Sequence, residues 1–275
     1  MRWSERQRAM LAEMGVRIWP RGLQEESAGA ESPAAGARVE SARQDSDPSP
    51  PPPAAALAPG TVAAKGPVIP ISLIHQPAAG DTATMDWSTL RLAVSECTAC
   101  KLCEARRQTV FGVGNPRAHW MIVGEAPGEQ EDLLGEPFVG KSGQLLDNML
   151  RAVHLTRQEA PVHQQVYIAN TVKCRPPGNR NPLPEELARC EPFLIRQLEL
   201  VRPRIILAMG RFAVQSLLRS HEPIGKLRGR VHDFRGVPLI VTYHPAYLLR
   251  SLEEKARAWD DLCLAAETVK SCTGS

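Results

Sequence analysis

Four short apolar runs punctuate the chain after its first third: HWMIVGE (119–125), VYIAN (166–170), RIILAMG (204–210) and PLIVTYH (238–244). Each is aliphatic or β-branched and nearly unbroken, the pattern of a strand buried on both faces. Segments with apolar residues at helical spacing lie between and after them: SGQLLDNMLRAVHL (142–155), PEELARCEPFLIRQLELV (184–201), RFAVQSLLRS (211–220) and SLEEKARAWDDLCLAAETV (251–269). Ahead of the first run, Trp87, Leu90, Val94 and Cys97 also recur at helical spacing. Strands alternating with helices predict an α/β fold. The expected form is three-layer α/β/α, with a central, mainly four-stranded parallel sheet. Ligands of such a sheet bind at the carboxyl ends of its strands.

The pattern is different before residue 86. From Ser27 to Gly80 the chain is rich in Ala, Pro, Gly and Ser and includes PSPPPPAAALAPG (48–60). It cannot bury enough apolar surface to offset its ordering entropy, so it reads as a disordered linker. Before it, RQRAMLAEMGVRIWP (6–20) sets Met10, Leu11, Met14 and Ile18 near helical spacing. Two readings stay open for this segment: a short helix for a protein partner, or a weakly structured tail. The expected organisation is therefore an extension over 1–85 and a domain over 86–270.

Composition sharpens this division. All seven cysteines lie after residue 96. Residues 1–85 carry a net charge of −1, and the remainder +4. That balance permits nucleic-acid binding and equally suits an ordinary basic enzyme. No window of about 18 apolar residues predicts a membrane span. The charged start MRWSERQRAM is not followed by an apolar run, so a cytoplasmic protein with reduced thiols is expected.

Three strand ends carry candidate chemistry. The first run leads into GEAPGEQED (124–132), where Gly124, Pro127 and Gly128 form a tight loop ahead of Glu129, Glu131 and Asp132. The second ends at Asn170, and the fourth at His244. Singly these read as a turn former, a structural histidine and a solvated loop; together they suggest an active site. No nucleophile elbow occurs, and PFVGKSGQ (137–144) resembles a phosphate loop only superficially. The cysteines suggest a second centre. From CTACKLC (97–103), Cys97 and Cys100 combine with Cys174 and Cys190 into a four-thiolate set. Zinc and an iron–sulfur cluster both accept such a set, and buried apolar cysteines are the plainer alternative.

CTACKLC, VFGVGNP, GEAPGEQED, PFVGKSGQLL, NTVKCRPPGNRNP and HPAYLLR follow one another in this order. Together they closely resemble the family 4 uracil-DNA glycosylases, from about residue 90 to residue 268. The resemblance implies a 4Fe-4S cluster held by Cys97, Cys100, Cys174 and Cys190, in a structural role. Cys103 falls where other members can carry a non-thiol residue.

What the family implies for the site follows residue by residue. Uracil-containing DNA is the substrate, and the nucleotide is flipped out for hydrolysis of its glycosidic bond. Asn170 reads uracil N3–H and O4, Phe138 stacks on the base, and His244 donates to O2. Family 1 enzymes place a water-positioning Asp in a GQDPY loop, and here Ala126 takes its place. Glu131 becomes the candidate for that task, or crowds a thymine methyl group, while Glu125 bonds within the loop. Tyr247, Leu248 and Leu249 are candidates for filling the vacated stack, with one leucine belonging to the core instead. Arg175, Arg180, Lys226, Arg228, Arg230 and Arg250 are candidates for DNA phosphates. A monomer is expected. A non-enzymatic iron–sulfur DNA-binding adaptor of the same fold is the rival reading.

Overall fold

A computed structural model describes residues 82–271, which belong to one compact unit. The proposed partner segment 6–20 and the Pro-rich stretch lie outside the described residues. Thr82 is buried and Met85 packs against the core, so the packed part includes the few residues before Asp86. Among the described residues, no helix is long and apolar enough to cross a membrane.

The sheet has six strands: β1 (Val113–Gly114), β2 (Trp120–Gly124), β3 (Val166–Asn170), β4 (Ile205–Met209), β5 (Val231–Phe234) and β6 (Val237–Thr242). Their spatial order is β1-β3-β2-β4-β6-β5. The four apolar runs form the parallel centre, β3-β2-β4-β6, and every residue of β2, β3 and β4 is buried. Two antiparallel edge strands, β1 and β5, complete it. Neither edge is legible as a run: β1 has two residues, and β5 is half exposed.

Nine helices surround the sheet among the described residues: α1 (Trp87–Ser95), α2 (Leu102–Ala105), α3 (Glu129–Leu134), α4 (Lys141–Ala152), α5 (Pro184–Val201), α6 (Arg211–Leu218), α7 (Ile224–Leu227), α8 (Pro245–Leu248) and α9 (Lys255–Ser271). Alternation along each strand divides the core into two layers. Ile122, Ile168, Leu207 and Ile240 face Leu146, Met149 and Leu150 of α4, with Trp259 and Leu262 of α9. Their neighbours Met121, Tyr167, Ile206 and Leu239 face Leu194 and Leu198 of α5, with Val214 and Leu217 of α6. Burying each such side chain contributes about 1.5–3 kcal/mol. A third cluster joins Leu90 and Val94 of α1 to Phe193 of α5 around Cys174 and Cys190.

Candidate active site and thiol centre

Parallel register brings the chemistry to one edge. Gly124 pairs with Asn170 where β2 and β3 end. The ladder continues past the strands: Thr171 N donates to Gly124 O at 3.1 Å and Val172 N to Glu125 O at 3.3 Å. The GEAPG loop and the loop after Asn170 are thus zipped together. Gly124 is glycine because of what lies over it. A Cβ there would meet Asn170 Oδ1 at 2.5 Å and the Phe138 ring at 2.6 Å. Asn170 is 2% exposed, and its Oδ1 is buried with no hydrogen-bond partner. A buried acceptor left in this condition costs about 1–3 kcal/mol until a donor arrives.

Phe138 forms the floor. It has a positive φ of 56°, a strained choice for a bulky residue that its surroundings must hold. Arg157 donates to the neighbouring Pro137 carbonyl at 2.8 Å. Glu131 Oε1 accepts from Val139 N at 3.1 Å, and its Oε2 accepts from Gly128 N at 3.1 Å. Gly143, in the first turn of α4, has no room for a side chain against the Phe138 carbonyl.

His244 lies two residues beyond β6, not at its end, and caps α8. Its Nδ1 accepts from Ala246 N at 3.2 Å. That bond leaves the proton on Nε2 and makes the neutral ring a donor. Burial holds the imidazole well below its ordinary value, to about 4, against an opposing pull from Glu131. The ring stacks on Phe138, and Gly210, after β4, closes against its Cβ. Glu125, half-buried at the same edge, has its carboxyl raised by burial, with Arg211 opposing. Ala126 packs towards the thiol centre.

One cavity is lined by Cys97, Cys100, Cys174 and Cys190 together with Val94, Arg106 and Lys173. Cys103 does not line it. Among the described residues, no group of three or more His, Cys, Asp or Glu side chains is arranged to hold a metal ion. Burial pushes the Cys174 thiol up to about 11 and the Cys190 thiol up to about 12. Arg106 Nη1 donates to Cys174 Sγ at 3.0 Å, and Lys173 N donates to Cys190 Sγ at 3.2 Å. These donors favour the thiolate form. Sequence reasoning missed Arg106 and Lys173. Arg106 stands three residues after CTACKLC, and Lys173 is the one charge in ANTVKC.

Several expectations are corrected. Leu248 is fully buried in the α4–α9 core layer, so it cannot fill a DNA stack; Tyr247 and Leu249 are exposed. Arg228 forms an ion pair at 3.0 Å with Asp261, whose carboxylate is fully buried. Arg180 grips the buried Glu186 at 2.6 Å. Both arginines are committed within the fold. Arg175 is partly so, bonding Asn179 at 2.7 Å and lying 3.6 Å from Glu129. Lys226, Arg230 and Arg250 remain exposed. Glu131, expected to handle water, has its carboxylate occupied by backbone amides. The reason is local: as third residue of α3 it reaches back to cap the helix.

Comparison with known proteins decides the family. The family model described as the Uracil DNA glycosylase superfamily matches residues 111–263. The chain belongs to the uracil-DNA glycosylase superfamily. It is 43% identical over 164 residues to a type-4 uracil-DNA glycosylase of Archaeoglobus fulgidus, covering 57% of this chain and 79% of that protein. The corresponding type-4 enzyme of Thermotoga maritima is 43% identical over 166 residues, 60% of this chain and 83% of its own length. That of Pyrobaculum aerophilum is 38% identical over 188 residues, 66% and 93% respectively. Within this type-4 glycosylase-like chain, the matched region carries every strand and both centres, save for Cys97 and Cys100 of the thiol set, which lie ahead of it.

Proposed function

We propose that this protein is a DNA repair hydrolase that removes uracil from DNA and leaves an abasic site. The carrying observation is the orphaned, buried Oδ1 of Asn170 beside Phe138. Such an acceptor asks for a donor, and uracil N3–H supplies one. The amide N–H of Asn170 then donates to O4. Cytosine has an acceptor at N3 and a donor at C4, which would leave both amide atoms unpaired, a mismatch that sites of this kind reject strongly. The target base must leave the duplex to reach these groups, and Phe138 offers it a face.

Cleavage of the bond from N1 to C1′ puts the electron pair on uracil and positive charge on the sugar. His244, neutral with its proton on Nε2, donates to the O2 side of the departing anion. A preorganised donor of this kind is worth about 3–4 kcal/mol. Water then adds to C1′, and its proton passes to the uracil anion, which leaves as neutral uracil. Glu131 serves this step indirectly: it holds the Gly128 and Val139 amides and so fixes Phe138 against the loop.

The buried Cys174 and Cys190 thiols, the two companions that share their cavity and the N–H donors aimed at two of the sulfurs fit an iron–sulfur group. Cys97, Cys100, Cys174 and Cys190 would hold a 4Fe-4S cluster. When bound, that cluster supplies a rigid tie between the segment after α1 and the loop that follows Asn170. Lys226, Arg230 and Arg250 are proposed phosphate contacts, and Tyr247 with Leu249 the groups that replace the lost stacking. The protein acts as a monomer in this reading, and residues 6–20 offer a protein partner a docking segment.

The direct test is a gel assay on single-stranded DNA carrying one uracil. Strand scission at that position after alkali is expected. An iron–sulfur adaptor would bind the DNA and leave no abasic site.

A further inference from the structure

Lys173 is buried, at 1% exposure, between the two centres of this protein. Its Nζ donates to the backbone carbonyl of Asn170 at 2.9 Å and to Gln197 Oε1 at 2.6 Å. Gln197 is itself fully buried and donates onward, to Phe111 O at 2.9 Å and to Tyr167 Oη at 3.0 Å. These oxygens are all neutral. Among the described residues no carboxylate forms an ion pair with Lys173. Lys173 also lines the four-cysteine cavity.

A buried ammonium without a counter-charge is strongly unfavourable. Residue 173 thus has a hydrogen-bonding role on one side and an unmet electrostatic requirement on the other. The four-cysteine cavity that Lys173 lines is where a counter-charge can be supplied. Its backbone shares this position: the amide of Lys173 donates to Cys190 Sγ, and its carbonyl accepts from Val110 N at 2.7 Å.

We infer that Lys173 is a positioning residue that couples the two centres: its ammonium ion takes the anionic four-thiolate cluster as counter-charge and, so balanced, clamps the Asn170 main chain in the orientation that reads the base. This rests on the function proposed above. The clamp acts on the Asn170 carbonyl, so it sets where the side-chain amide lies over Gly124 without touching substrate. The cluster then matters to base selection through one lysine, in addition to its tie between distant segments.

The test compares the parent holoprotein with Lys173→Met and Lys173→Arg. Methionine keeps much of the volume and removes the charge; arginine keeps the charge. The cluster's midpoint potential is read first. Removing a nearby positive charge disfavours adding an electron, so Lys173→Met lowers the potential and Lys173→Arg leaves it near the parent's. The second reading is uracil release, in which Lys173→Met loses about tenfold to a hundredfold in kcat, while affinity for undamaged single-stranded DNA is unchanged. An unchanged potential, or unchanged kcat, in a Lys173→Met protein that retains its cluster overturns the inference. If Lys173→Met yields no soluble protein, the parent is stripped of iron by an oxidant and chelator, and its preference for uracil-containing over undamaged DNA is measured by binding. Loss of that preference with retained helical circular dichroism supports the clamp; a retained preference overturns it. A parent that releases no uracil at all would defeat the proposed function instead, while the potential shift would still report on the lysine and the cluster.

Discussion

The ring of Phe138 lies against the imidazole of His244, with centroids 5.2 Å apart and planes inclined by 27°. These residues come from a strained loop before α4 and from the cap of α8, more than a hundred positions apart in sequence. Their contact, with Asn170 Oδ1 over Gly124, is what makes three strand ends into one site.

Replacing the reading and donating groups should abolish most turnover. Asn170→Asp keeps an acceptor for N3–H but loses the donor to O4. His244→Ala removes the only proposed donor to O2. Each is expected to lower kcat about a hundredfold to a thousandfold, measured as single-turnover release of uracil. Gly124→Ala should do likewise, because its Cβ would push into Asn170 Oδ1 and the Phe138 ring. Near-parent rates in Asn170→Asp would refute the assignment of the base-reading group.

The pH dependence follows from the burial of His244. Its folded value is about 4, against an ordinary value of 6.5. Between these values the unfolded chain binds more protons than the folded one. Stability therefore rises with pH through that window and is lost as pH falls from about 6.5 towards 4. Denaturant titrations should show the parent losing about 2 kcal/mol more than His244→Gln between pH 7.5 and pH 5. Catalysis should show no acid limb near pH 6.5, since the ring stays neutral there.

The basic residues should separate into two kinds. Lys226→Ala and Arg230→Ala are expected to lower the slope of log affinity against log salt by about 1 each, with little change in stability. Arg228→Ala should leave that slope alone and cost about 3–5 kcal/mol of stability, because it strands the buried carboxylate of Asp261. A chemical melt with salt-dependent binding on the same proteins distinguishes them.

Among the cysteines, Cys174→Ala and Cys190→Ala should lose the visible absorption of the purified protein and much of its iron. Cys103→Ala should keep both, since Cys103 does not line the thiol cavity. A colourless Cys103→Ala protein would displace the proposed ligand set.

The apolar runs foretold the four parallel strands nearly to the residue, and α5 over its whole length. Continuous burial on both faces leaves a composition that few other arrangements share, so local pattern and tertiary position agree there. Asn170 and His244 stood out for a related reason, since a parallel sheet delivers its loops to one edge; Phe138 entered only through the family resemblance. Pattern could not reveal which of two adjacent leucines enters the core. Leu248 does and Leu249 does not, because the short helix α8 leans on α4, a contact absent from local spacing.

The sequence alone determined the layered α/β domain, the four thiols and the polar groups at the strand ends, because each follows from periodicity or from residue type in a motif. Only the tertiary structure decided which charges are free. Arg228 and Arg180 look like Arg230 in sequence, yet Asp261 and Glu186 claim them. Glu131 looks like a catalytic carboxylate, yet backbone amides occupy it. The physical reason is common to all: a charged side chain's role depends on the partner that meets it when the chain folds, and that partner can be far away in sequence.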